Sequence, residues 1–535
     1  MTKRLLFLWC CWMLWPAPAN AQQWMRAQQW GGPGNDIGKG LIWNADGSLW
    51  LAGVFDQRIT WGTQTLTARG ASDIFMALRQ ADGSIAWAGR AGSAQEDELA
   101  NIATDAVGNL ICAGSYWITG DFDTIQLSTQ RNPKALFVAK YTSVGAVLWA
   151  QSIDGQAIKS TSDAVCDTEG NIWLTGYFSD SLFVADTILV AAGQTDLFVI
   201  KLSPEGQLHW ALRQGLSGDT RAMAIGITSN GDAIIAGFFN EITHIADTIL
   251  VANTSDRDMF LARIRHDGQA LWARRGGGVF DKDVTALVID ATDQIWLTGY
   301  FVGVMRLSES LVIQSATGNP DFFILQYSPD GIPLKARALG GNLIQQATSL
   351  SLRAHQLLVT GFYQGRMAFD GFQWDAGNAL GGFVAAFDTT LTCQWAQRIE
   401  ATQSVFPFRI AAHPQHGIAV TGSFNGAATF DTQTLSTSSG FNIFLGVLGG
   451  PPITSTSAQS LAVLTFSIFP NPAHDQVWIA TEALDFEISL FNAAGIRLWH
   501  RTTTRELSLG HLPKGLYYIQ LRTATSSQTL PLVLR

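Results

Sequence analysis

Apolar and polar positions alternate with a period of two through residues 24–450, and no stretch carries the 3.6-residue period of an amphipathic helix. Residues 160–215 show the pattern most plainly. "SDAVCDTEG" (162–170) is a short alternating strand running into a turn, and "NIWLTGYF" (171–178) is a strand apolar on both faces, as a buried strand should be. "TDLFVIKLS" (195–203), the tight turn "PEG" and "QLHWALRQG" (207–215) predict two more strands. Between the second and third strands runs a long excursion with its own hairpin signal, "FVADTILVAAGQ" (183–194).

The same pattern returns along the chain. "QIWLTGYF" at 294–301 nearly repeats 171–178, and equivalent glycines close an apolar run at Gly53, Gly114, Gly176, Gly237, Gly299, Gly361 and Gly422. Their spacings are 61, 62, 61, 62, 62 and 61 residues, which makes seven copies of one unit. A Phe recurs 22 to 24 residues after each of these glycines (Phe75, Phe137, Phe198, Phe260, Phe323, Phe383, Phe444). Trp87, Trp149, Trp210, Trp272 and Trp395 recur 34 or 35 residues after them, with Leu334 in the fifth copy. Large aromatics at fixed phase are what packed sheets bury, so they are assigned to the core rather than to a ligand. Gly83, Gly145, Gly206, Gly268 and Gly331 sit where a short hairpin needs positive φ.

Four-stranded units repeated in this way predict an all-β fold, a seven-bladed β-propeller over residues 22–450. Its ends are complementary: the seventh copy stops at "NIFLGVLGG" (442–450) without a fourth strand, and "WMRAQQWGG" (24–32) is a strand with nothing before it. In register the N-terminal strand completes the last unit and spares an open sheet edge. The run D-x-F-(V/L)-x-(K/R), x-x-G-x-x-x-W-A, G-G, D-x-x-G-N-x-W-L-T-G resembles the bacterial SBBP-type propeller repeat, a family of secreted or surface proteins without an assigned ligand. Copies six and seven depart from it, with Gly381 and Asn442 in place of the Asp, and with "LRAHQ" and "AHPQH" at the first turn.

A Pro/Ser/Thr/Gly linker, 451–465, precedes a change of character. "FSIFPNPAHDQVWI", "FEISLFNAAGIRLWH", "LSLGHLPKGLYYIQL" and "LPLVLR" read as the strands of a small Ig-like β-sandwich over 466–535. Their ordered sub-motifs, F-P-N-P, L-F-N-x-x-G and L-x-x-G-x-Y, resemble the type A C-terminal sorting domain of type IX secretion. The resemblance implies a Bacteroidota-type source, engagement of the type IX machinery through 466–535, and release or attachment at the outer surface. At the other end, Lys3 and Arg4, the apolar run Leu5–Trp15 and "ANA" read as a signal peptide over 1–21, too short to span a bilayer. The expected product is secreted or surface-attached after passing the periplasm, and not membrane-spanning.

Without Lys3 and Arg4, 32 basic residues face 43 acidic ones, a net charge of −11 with the basic residues scattered singly, which argues against nucleic acid as a partner. Charged residues make up only 14% of the chain. Beyond the leader, Cys112, Cys166 and Cys393 lie in different copies without ligand spacing and read as buried hydrophobes.

Chemistry is sparse. The loops joining one unit to the next carry Asp36, Glu96, Asp97, Asp219, Asp281 and Asp283, either a ring of acids at a mouth or residues that cap turns. No calcium loop occurs, so no cofactor is assigned, although a structural calcium ion between units stays open as an alternative that no motif supports. His413 and His416 stand at a turn, where a metal site is disfavoured. No G-x-S-x-G, HExxH or P-loop occurs. "DTI" and "DSL" place Thr124, Ser181, Thr187 and Thr248 as O-glycosylation acceptors by resemblance to Bacteroidota sites, the alternative being a plain hairpin signal. The expectation is a non-enzymatic binding protein whose ligand is a glycan or a surface protein. The alternatives are an extracellular polysaccharide hydrolase or lyase and a structural spacer.

Overall fold

The computed structural model describes residues 22–252, 256–449, 466–481, 486–492, 497–502, 506–510, 512–522 and 527–535, so the leader and the linker lie outside the described residues. The described chain is all-β and divides into two compact units, residues 1–450 and 451–535.

Seven antiparallel four-stranded units fill the first. The first unit runs Asp36–Trp43, Leu49–Phe55, Asp73–Arg79 and Ile85–Gly92, each strand bonded to the next. The third repeats it with Lys159–Cys166, Ile172–Phe178, Asp196–Leu202 and Leu208–Gln214. In the seventh, the fourth strand is Gln23–Trp30, antiparallel to Asn442–Gly449. The first strands of successive units touch in chain order, and that of the seventh, Ser404–His413, touches that of the first.

The repeated Thr-Gly pair has a physical reason. A Cβ on Gly176 would lie 2.0 Å from the carbonyl oxygen of Ser160 and 2.9 Å from the ring of Phe198. The other six anchor glycines meet a first-strand carbonyl at 1.9–2.0 Å in the same way. The Thr before the glycine donates its hydroxyl to the carbonyl of the recurring Phe: Thr175 to Phe198 at 2.9 Å, and Thr298 to Phe323 at 2.6 Å. All seven of those Phe rings are fully buried. Trp173 and Trp296 are held by indole N–H bonds of 3.0 Å to Asp167 and Asp290 of the first turn.

The Trp of the fourth strand staples one unit to the next. Trp149 donates its indole N–H to Pro204 at 3.1 Å and lies over Gly206, and Trp210 does the same to His266 and Gly268. At the junction between the N-terminal strand and the first unit, Arg26 takes the place of that Trp, opposite Val447 and against Gly83. In the fifth unit the residue in register with these Trp is Lys335, not the expected Leu334; its amine donates to the carbonyl of Thr389.

The excursion after the second strand is more than a surface hairpin. In the second unit Thr119–Phe122 pairs with Ile125–Ser128 and also with Gly92 and Ala91, on the outer strand of the unit before. The third, fifth, sixth and seventh units repeat this link. Five of the seven units are therefore tied to their predecessors by strand pairing at the rim as well as by apolar packing, while the hairpins of the first and fourth units form two-stranded sheets of their own.

The second compact unit holds two sheets. One orders Phe466–Phe469, Gln476–Thr481 and Glu506–Ser508, and the other Arg497–Thr502, Glu487–Asn492, Gly515–Arg522 and Ser527–Leu534. They share a core that includes Val477, Ile488, Leu490, Leu507, Ile519 and Leu532. The F-P-N-P segment is held by the chain's end: Asn471 accepts the Val533 amide at 2.9 Å, and Arg535 donates its amide to Ala473.

Candidate functional site

Every first strand carries a β-bulge opposite the anchor glycine, where the partner carbonyl fills the space a side chain would need. A bulge re-aims one side chain. The seven residues so displaced are Lys39, Ala100, Ser162, Met223, Thr285, Thr348 and Phe408, and all seven line a single cavity of about 400 Å³. Glu98, Ser115, Ser160, Tyr177 and Arg409 also contribute to its wall.

Hydrogen bonds between neighbouring units seal this ring. Thr285 donates to the carbonyl of Ala347 at 2.8 Å and Thr348 to that of Pro407 at 2.6 Å. Asp163 accepts from the amide of Ile225 at 3.1 Å and from the side chain of Asn101, so one carboxylate joins three units. Burial raises the pKa of Asp163 and lowers those of Lys39 and Arg409. Among the described residues, neither Lys39 nor Arg409 makes an ion pair or hydrogen bond; Glu98 and Asp163 act on them only through space. Glu98 itself is engaged by Lys134 at 3.0 Å and by the Ser115 hydroxyl at 3.1 Å.

The acids expected at a mouth are placed differently. Asp36 and Asp97 are buried and point back into their own loops: Asp36 accepts the amide of Gly32 at 2.7 Å, and Asp97 accepts the amide and hydroxyl of Ser93. Burial lifts both carboxyls to about 7. Glu96 is exposed beside its bridge to Ser72. Asp219 accepts from Thr195 at 2.8 Å and pairs with Arg221 at 3.3 Å, while Asp281 and Asp283 share Arg257 at 2.9 and 2.8 Å. Asp283 also accepts the hydroxyl of Tyr300 at 2.8 Å. No group of three or more His, Cys, Asp or Glu among the described residues could hold a metal ion.

Arginines and aromatics stand where free acids were expected. Arg221 lies over the rings of Tyr177 and Phe238, and Arg257 lies over Phe238. Tyr177, Phe238, Tyr300 and Phe362 each follow an anchor glycine directly, a signal that sequence reading passed over because it weighed recurring residues rather than the ones that change. The bulge residues carry a similar signal, lying 14 residues before the anchor glycine (13 in the sixth unit) with a different side chain in nearly every copy.

The remaining candidates are local. His413 and His416 pack on each other and on Trp43 where the seventh unit meets the first, and Nδ1 of His413 accepts two backbone amides. Thr124 is exposed at the tip of an excursion hairpin, while Ser181, Thr187 and Thr248 are half-buried within such hairpins. The thiols of Cys112, Cys166 and Cys393 are free, and burial raises them, Cys166 and Cys393 to about 12.

Residues 467–535 match the model of the secretion system C-terminal sorting domain. A curated relative is an uncharacterized WD repeat-containing protein of Acanthamoeba polyphaga mimivirus, 20% identical over 446 residues. That match takes in 68% of this chain and 32% of the relative, so the chain spans about a third of the relative's length. Among solved structures, PorZ, a surface component of the type IX secretion system of Porphyromonas gingivalis, aligns over 95% of this chain and 75% of its own at 12% identity, with a TM-score of 0.29. The extracellular domain of a B. thetaiotaomicron protein named as a one-component system aligns over 93% and 86% at 9% identity, with a TM-score of 0.18. The apocarotenoid oxygenase of Synechocystis aligns over 78% and 95% at 10% identity, with a TM-score of 0.38. These structural likenesses are too distant to carry an argument about function. The tail match does carry one: the chain has the type IX C-terminal sorting domain of a protein exported to the cell surface or secreted.

Proposed function

We propose that this is a secreted or surface-displayed binding protein without catalytic activity, built as a seven-bladed β-propeller of SBBP type followed by an Ig-like sorting sandwich. Its ligand, a glycan or part of another surface molecule, enters the channel around which the units stand. One observation carries the reading: in all seven copies a bulge turns one side chain into a shared cavity of about 400 Å³, and those side chains range from Ala and Ser through Thr and Met to Lys and Phe. Variation alone would not mark a site, but these positions vary where the side chain is turned into open space rather than into the protein's own loops and core. The cavity offers cations, hydroxyls and an aromatic face but no ordered nucleophile–base pair, which favours binding over turnover.

The test is a glycan-array and insoluble-polysaccharide screen of the purified chain, with products assayed and with Ala100→Trp as a variant that fills the channel. We expect saturable binding without turnover, lost in Ala100→Trp and kept when Glu96 is replaced by Gln. Release of products would establish the hydrolase or lyase alternative. Binding that survives the filled channel would move the site elsewhere.

A further inference from the structure

The reading just given leaves the ligand's chemistry open, and the charges in the channel narrow it. Resting on that reading, we propose that the channel takes an acidic sugar, its carboxylate held by Lys39 and Arg409 and its ring laid against Phe408. Lys39 and Arg409 line the same cavity, and the charge of Arg409 acts on Lys39. Both side chains are half-buried, yet neither has an ion pair or a hydrogen-bond acceptor among the described residues.

Desolvating a cation without an acceptor is costly, and folded proteins rarely keep two together unless something else supplies the counter-charge. The nearby carboxylates act on the two cations only through space, because they are bonded elsewhere. Glu98 is engaged by Lys134 and Ser115, and Asp163 is held by Asn101 and by the amides of Ile225 and Ala164. A ligand carboxylate placed between the two cations would be bound by charge-assisted hydrogen bonds in a site that is already partly dry.

The rest of the wall specifies a polyol rather than a bare anion. Thr285 and Thr348 spend their hydroxyl protons on main-chain carbonyls, which leaves their oxygens turned to accept from a ligand. Ser162 adds a third hydroxyl, whose nearest partner is the sulfur of Met223 at 3.9 Å. Phe408, stacked on Phe406 with the rings 14° from parallel, presents a flat apolar surface to the cavity. Cation, hydroxyl and aromatic groups around one cavity match a carboxylate, ring hydroxyls and the C–H face of a pyranose.

The experiment is calorimetric titration of the full chain with short oligogalacturonate and oligoglucuronate, their methyl esters, neutral galactose and glucose oligomers, and inorganic sulfate. We expect at least one uronate to bind, with its ester and its neutral counterpart at least about tenfold weaker, the loss that follows from removing a charged hydrogen-bond partner. Lys39→Met and Arg409→Met should each weaken the uronate about tenfold, Ala100→Trp should abolish it, and thermal unfolding should show all three folded. Neutral oligomers bound as tightly as uronates and lost in Ala100→Trp would overturn the acidic ligand while leaving the channel as the site. Uronate binding unchanged in both Met variants would overturn the two cations as its holders. Sulfate bound as tightly as a uronate would overturn the sugar. Failure of every saccharide, charged or neutral, would overturn the acidic sugar and leave a part of another surface molecule as the ligand.

Discussion

Three residues separate two positions of each first strand, and they behave in opposite ways. The first holds Asp36, Asp97, Lys159, Thr220, Lys282, Gln345 and Val405 in the seven units, and every one of these is buried. The second holds Lys39, Ala100, Ser162, Met223, Thr285, Thr348 and Phe408, and these line the cavity. Both sets vary from copy to copy, so variation alone does not mark function. The difference is in where the bonds go. Lys159 donates to the carbonyls of Gly155 and Ala157, both at 3.1 Å, and Gln345 to those of Gln364 and Arg366. Five of the side chains at the first position thus tie down nearby backbone, while Thr220 donates to the Thr243 hydroxyl at 2.9 Å and Val405 packs in the core. At the second position, Lys39, Ala100 and Phe408 bond to nothing described, and their polar or apolar surface is left for the cavity.

Removing the geometry that separates the two positions should have the largest effect. Gly176→Val would drive a Cβ into the carbonyl of Ser160, and we expect loss of more than about 4 kcal/mol or failure to fold, read by denaturant unfolding. Unfolding close to wild type would show that the bulge does not depend on the glycine. Asp97→Ala, at the buried position, should cost about 1–3 kcal/mol, because the amide of Ser93 loses its acceptor. Lys39→Met, three residues along the strand from the matching Asp36, should change stability by less than about 1 kcal/mol, since its charge is desolvated with no partner to lose. A large cost for Lys39→Met would show that the cavity position is structural after all.

The buried position should also report itself through pH. Burial raises Asp36 and Asp97 to about 7, whereas in the unfolded chain they titrate near 3.9. Between about pH 4 and 7 the folded chain then holds protons that the unfolded chain has released. These groups contribute stability that is fully present below about pH 4 and is lost as the pH rises through 7. Asp36→Asn with Asp97→Asn, neutral at every pH, should remove that decline. The check is the difference in melting temperature between variant and wild type across pH 4–8, and a constant difference would show that the two carboxyls ionise normally.

Much of the scaffold was legible because it rests on residues that cannot change. The anchor glycines, the Phe that follow them and the Trp over the next hairpin each meet a steric or hydrogen-bonding demand that recurs in every unit, so they stand out at fixed phase. Where another residue met the same demand the signal blurred. Lys335 makes the Trp's hydrogen bond from a position that spacing alone assigned to Leu334, and in the second unit Asp154 caps the amides of Gln130 and Arg131 while Ala135 stands at the Asp position of the repeat. The link from five of the excursion hairpins to the preceding unit was not legible, because edge pairing uses backbone groups that carry no side-chain signature.

The site followed the opposite logic. The acids Asp36, Asp97, Asp219, Asp281 and Asp283 drew notice in the sequence because carboxylates in loops are conspicuous, yet their partners, loop amides and the arginines 221 and 257, are set by how strands meet. By itself the sequence determined the strand period, the count of repeats, the core aromatics, the N-terminal strand that pairs with the seventh unit and the sorting tail. All of these follow from local sterics or from motifs read in order along one chain. Only the tertiary structure decided that a bulge turns Lys39 and Phe408, 369 residues apart, toward one cavity beside Arg409. Convergence of that kind depends on the curvature of stacked sheets and on a one-residue slip in register, and neither is written in any single unit.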